Sequence, residues 1–134
     1  MNSVFWTKMA DYLRNGDWIF LDVVAAEVSG RSPLQNWITQ QRQAGLITTL
    51  DSASRARAAQ INNTYPMIDQ TTLRSTVDTY LVAYAETNNL KILSREGNRD
   101  NSTSLYKIPD VCNALGIAMT RSPKEFLRDM RFSN

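Results

Sequence analysis

The chain has no histidine and only one cysteine, Cys112. The first absence excludes Ser-His and Cys-His nucleophilic catalysis, imidazole acid-base chemistry and a classical zinc site. The second excludes an internal disulfide. No apolar run approaches the roughly eighteen residues of a membrane helix, and no basic segment followed by an apolar stretch opens the chain. Neither a membrane span nor a secretory signal is expected, and the reading is of a cytoplasmic protein. Charge of one sign is scarce as well. With 15 basic and 13 acidic residues the net charge is +2, so a case for nucleic-acid binding has to come from local placement. No internal repeat or linker is evident. What is present is a 43% hydrophobic chain of 134 residues, enough for a single domain spanning 1–134 that buries a core without staples, and a set of carboxylates.

Apolar spacing and punctuation divide the chain into alternating elements. Ser3 is placed to cap a helix carrying Phe5, Trp6, Met9, Tyr12 and Leu13, with a stop at Gly16. Trp18–Leu21 reads as a strand, and Asp22 as the N-cap of a helix that ends at Gly30. Ser32-Pro33 pairs an N-cap with proline at N1 and opens a helix closing at Gly45, and Leu46–Leu50 reads as a second strand. Asp51 and Ser52 begin a helix to about Asn62, with Arg55 and Arg57 on its wet face. A further helix is expected over Thr72–Thr87, with Leu73, Val77, Leu81 and Tyr84 on one face. Lys91–Ser94 follows as a third strand, 95–104 as a polar mobile loop, and Pro109 as the start of a short helix ended by Gly116. Ile117–Met119 is a fourth strand, and Ser122-Pro123 starts a last helix. Strands separated by helices imply an α/β fold with a mainly parallel sheet of about four short strands.

The segment Thr76–Asp110 carries the chemistry. Asp78 sits inside the apolar helical run VDTYLVAYA, ILSRE ends on Glu96, and KIPDV follows. A helix bearing a carboxylate that feeds a short buried strand ending on a second carboxylate gathers acids at one sheet edge, which points to metal-dependent hydrolysis.

Three stretches, WIFLDVVAAEVSG with the LQNWI that follows, VDTYLVAYA and ILSRE, together resemble the PIN domain family, specifically a PIN-like branch marked by KIPDVCNALGI. The resemblance covers nearly the whole chain. It implies a three-layer sandwich and a metal-dependent endoribonuclease, often the toxin of a toxin-antitoxin pair, with RNA as substrate and a cognate antitoxin as partner. The family's second, third and fourth acids fall on Glu27, Asp78 and Glu96, which the resemblance makes catalytic residues and ligands of Mg²⁺ or Mn²⁺, hard ions suited to carboxylate oxygens. Members of that family open with a short apolar strand ending in an aspartate, and no such segment precedes Ser3 here. The resemblance therefore implies an N-terminally incomplete domain that lacks its central first strand and binds metal weakly. Each unpaired buried backbone group left behind would cost about 1 to 3 kcal/mol. The gap is expected to close by pairing of the Trp18 strand with the Lys91 strand, by a homodimer, or by a strand from a partner.

Each candidate also has a plain reading. Glu27 can be a solvated helical acid, and Glu96 a loop residue paired with Arg95 or Arg99. Asp110 in a helix's first turn reads as a cap, the three tryptophans as core or interface anchors, and Cys112 as a small buried hydrophobe. Arg95, Arg99, Arg121 and Lys124 could contact an RNA backbone, as could the arginines of RARAA, or form a solvated face. A catalytically inactive remnant acting through protein contacts is the alternative function. A phosphatase has no glycine loop or nucleophilic aspartate motif to support it.

Overall fold

Helices dominate the described structure because the strand-like segments are short and polar connections interrupt them. The computed structural model describes residues 3–28 and 32–121, which fall into two compact units, Met1–Leu50 and Asp51–Asn134. The expected helix from Ser122, with Lys124, lies outside the described residues.

The first unit contains α1 (Ser3–Arg14), α2 (Asp22–Ala25) and α3 (Pro33–Gln43). The tryptophans anchor it. Trp37 is buried, stacks at 5.6 Å from Trp6, and donates its Nε1–H to the Trp6 carbonyl at 3.1 Å. Trp18 is buried beside Tyr12 at 5.5 Å. Ser32 caps α3 as expected, its Oγ accepting from Gln35 N at 3.1 Å, with Pro33 at N1. The two expected strands of this unit are reduced to one parallel bridge, Leu21 to Thr48. The reason is local: the N–H groups of Asp17 and Trp18 both go to the Tyr12 carbonyl at the end of α1, so only the end of the Trp18 run is left to pair. There Thr48 N–H meets Phe20 O at 2.9 Å, and Asp22 N–H meets Thr48 O at 2.8 Å.

The second unit contains α4 (Ser52–Thr64), α5 (Thr76–Asn88), β1 (Ile92–Leu93), α6 (Ile108–Leu115) and β2 (Met119–Thr120). β1 and β2 pair in parallel, Ile92 opposite Met119 and Leu93 opposite Thr120, with α6 as the crossover. Ala58, Ile61, Met67, Val82, Ala83, Ile92, Ile108 and Val111 form the core. Cys112 joins it, and burial pushes its thiol up to about 11, as befits an inert packing residue. Gly116 ends α6 at φ +71°, where a residue with a Cβ would be strained.

The molecule is thus mixed α/β and mostly helical, with a short two-stranded parallel sheet rather than the four-stranded one expected. α5 also differs from expectation. It begins at Thr76, because Asp69 Oδ1 accepts from Thr71 N at 2.8 Å and Thr72 N at 3.0 Å, while Leu73 and Ser75 take φ of +60° and +73°. Leu73 is exposed, and the buried face is Thr79, Val82, Ala83 and Ala85, small residues that let α4 and β1 approach closely.

Nor do Arg55 and Arg57 simply face water. Arg57 forms a two-pronged pair with Glu86 of α5, at 2.5 Å and 3.0 Å. The Arg57 hydrogen bonds hold the Glu86 carboxyl below its usual 4.5 despite partial burial. A depressed carboxyl stabilises the fold above its unfolded pKa and stops doing so as pH falls through its folded value. Glu86→Gln is therefore expected to cost about 1 kcal/mol at neutral pH. The gap from wild type should close in urea melts run progressively below pH 4.5. A gap that persisted in acid would show that packing, not charge, is lost.

Candidate functional site

In open parallel sheets the polar ends of the strands face ligands, and the carboxyl edge of β1 and β2 is where this chain concentrates its polar loop residues. β1 runs out through Ser94 into Arg95 and Glu96, and β2 runs out through Thr120 into Arg121. Arg121 reaches back over the loop: a Cβ built on Gly97 would stand 4.0 Å from its Nη2. Arg95 and Arg121 are both exposed.

Glu96 is half-buried and structurally engaged. Its backbone N–H donates to Ser94 Oγ at 3.1 Å, and its Oε1 accepts from Ile108 N at 2.8 Å, the first N–H of α6. Pro109 has no N–H, so Glu96 and Pro109 between them settle two of the four backbone positions a helix start leaves open. A carboxylate at that end is also favoured by the helix dipole. Glu96 thus takes neither arginine as the partner that its plain reading offered.

Asp110 is the cap that its position implied. Its Oδ2 accepts from Lys107 N at 2.9 Å and from Arg99 N at 2.9 Å, joining both ends of the polar loop to α6. Arg99 folds inward as well, its guanidinium 3.8 Å from the Tyr106 ring centroid and its Nη1 3.4 Å from the Ser102 and Ser104 carbonyls. The 95–107 loop is therefore tied at several points, where the sequence suggested a mobile loop over 95–104.

Asp78 lies in the first turn of α5 and is half-buried. A helix and the strand that follows it through a tight turn run antiparallel. α5 packs against β1, the strand it leads into, so Asp78 and Glu96 belong to neighbouring elements of the second unit. Glu27 belongs to the first unit. The helix expected to carry it to Gly30 stops at Ala25, and Glu27 sits exposed in the turn beyond, its N–H on Val24 O at 3.1 Å. In neither unit do three Asp, Glu or Cys side chains converge as a metal cluster would require, among the described residues.

The family described as "Domain of unknown function (DUF4411)" matches residues 1–133. The chain belongs to this family. No curated protein and no solved structure matches the chain. Among the described residues of this DUF4411 domain, no helix is long and apolar enough to cross a membrane.

Sequence reasoning undervalued two features of the domain. Asp22, taken only as a cap, binds across the first unit, its Oδ1 accepting from Val23 N at 2.8 Å and Leu50 N at 3.1 Å. A cleft of about 370 Å³ in the second unit, lined by α4, α5 and the loop between them, went unnoticed. Its residues are scattered from Arg55 to Tyr80, and only the DQTT turn at Asp69 hinted that the chain bends there.

Proposed function

We propose that this DUF4411 domain is a PIN-like, metal-dependent endoribonuclease, possessing the family's three-layer sandwich and serving as the toxin of a toxin-antitoxin pair. Glu27, Asp78 and Glu96 act as the acids that hold Mg²⁺ or Mn²⁺, and Arg95, Arg99, Arg121 and Lys124 contact RNA. The observation that carries this reading is the carboxyl edge of the parallel pair, where Arg95 and Glu96 follow β1 and Arg121, which follows β2, comes close to Gly97. Divalent ions there would lower the pKa of a bound water and stabilise the in-line displacement at a phosphodiester, while the arginines hold the backbone.

The expected result is cleavage of a single-stranded RNA that needs Mg²⁺ or Mn²⁺, stops with chelator, and falls at least about a hundredfold in Asp78→Asn. Cleavage unchanged in that variant would belong to a contaminating nuclease and end the proposal.

A second reading is favoured by one observation, the commitment of Glu96 to the start of α6. On that reading the domain is an inactive remnant that works through protein contacts, as a homodimer or with a strand-supplying partner. It predicts no metal-dependent cleavage together with concentration-dependent self-association or capture of an antitoxin.

A further inference from the structure

The cleft lined by α4 and α5 unites three unusual features. Leu73 stands at its wall 64% exposed and at φ +60°, a conformation unfavourable to a residue with a Cβ, with Ser75 similarly placed at +73°. In the same lining the Arg55 guanidinium lies 5.0 Å from the centroid of the Tyr80 ring, giving a surface that is both aromatic and cationic. Asn62, also in the lining, is oriented by its own fold: its Oδ1 accepts from Met67 N at 2.8 Å and Ile68 N at 3.0 Å, which leaves its amide hydrogens as donors. Arg55 is the one charged residue among the described lining residues, and no acid accompanies it.

We infer that this cleft binds an unpaired nucleotide, with the base on the Arg55–Tyr80 surface and against Leu73, a base carbonyl on the Asn62 amide, and the phosphate drawn by Arg55. The size fits, since about 370 Å³ lies in the range of small-ligand pockets. The chemistry fits too. Every base has a face to stack on an aromatic platform, and the lone cation selects an anion over a neutral or positive guest. A donor amide favours bases with exocyclic carbonyls, so uridine is the apt probe. This site is separate from Asp78 and Glu96 and does not depend on their chemistry.

The test is a titration of the ¹⁵N-labelled chain with uridine 5′-monophosphate in the presence of EDTA, so that failure of the metal-site proposal leaves the result untouched. Saturable shifts are expected at Arg55, Asn62, Ile68–Thr76 and Tyr80. Leu73→Asp provides the decisive variant. Aspartate tolerates positive φ better than leucine, so the fold should persist by circular dichroism. The lost apolar wall and the added negative charge should weaken binding by about tenfold or more. Arg55→Gln, at an exposed position, should weaken it as well. The inference is overturned by an absence of saturable shifts, by shifts confined to the 95–107 loop, or by undiminished binding to a folded Leu73→Asp. A neutral apolar peptide that shifted the same resonances when uridine monophosphate did not would overturn it in favour of a protein partner.

Discussion

Ile61→Ala should destabilise the second unit by about 3 kcal/mol, the cost typical of removing a fully buried branched side chain whose surroundings cannot collapse. Ile61 is 1% exposed, in the core with Ala58, Met67, Val82 and Val111. α4 reads SASRARAAQINNT, and its other buried residues are Ser54 and Ala58, so Ile61 is its one large apolar contact with the rest of the unit. Propensity contributes little to holding such a helix in place, and a single isoleucine carries most of its docking energy. In urea the midpoint should fall with no change in slope, because the surface exposed on unfolding is nearly the same. Ile61→Val, which keeps the branch and leaves a smaller void, should cost about 1 kcal/mol. A midpoint for Ile61→Ala close to that of wild type would mean that α4 is held chiefly by Arg57 and Glu86.

The same helix illustrates what was legible in the sequence. Its start and approximate end could be read from Asp51-Ser52 and Pro66, and its neighbours from similar punctuation: Ser32-Pro33 for α3, and Pro109 and Gly116 for α6. These are local signals, fixed by backbone chemistry within one turn. The parallel pairing was legible in kind, since all four apolar segments expected as strands contain a parallel partner, but not in extent. Extent depends on which carbonyls claim which N–H groups. Tyr12 O takes those of Asp17 and Trp18, a contact no strand pattern announces. Which side of α5 is buried most deeply escaped the pattern for a related reason, although Leu81 does pack against the core. Periodicity picks the largest residues, Val77, Leu81 and Tyr84, whereas close packing buried the small ones, Thr79, Ala83 and Ala85.

For the candidate site the same division holds. Asp78 and Glu96 could be picked out because a carboxylate beside an apolar run is conspicuous, and Asp110 because an acid after proline in a first turn has a capping role. That Glu96 also caps α6 could not be seen, because its partner Ile108 lies twelve residues away across a polar loop. The nucleotide cleft was less legible still. Its polar lining includes three carboxamides and an arginine usually assigned to solvent, with an exposed leucine beside them, none of which draws attention until the Asp69 turn folds the chain back.

Asp110→Ala should have the second large effect, about 2 to 3 kcal/mol, because it removes a charged acceptor from two backbone donors at once. Arg99 N–H and Lys107 N–H would both lose their partner, and the loop would come away from α6. Asp110→Asn retains one oxygen that can accept and should cost only about 1 kcal/mol. Amide exchange separates this role from that of Glu96. In Asp110→Ala the Arg99 and Lys107 amides should lose protection, whereas in Glu96→Ala those two should keep theirs and the Ile108 amide should open instead. The functional consequence follows from where the loop leads. Arg95 and Glu96 enter it and Arg99 is stacked on Tyr106 within it, so a detached loop misplaces the groups proposed to meet RNA without removing any of them. Loss of protection at Arg99 and Lys107 with cleavage fully retained would separate the loop from catalysis and shift the proposed RNA contacts to Arg121.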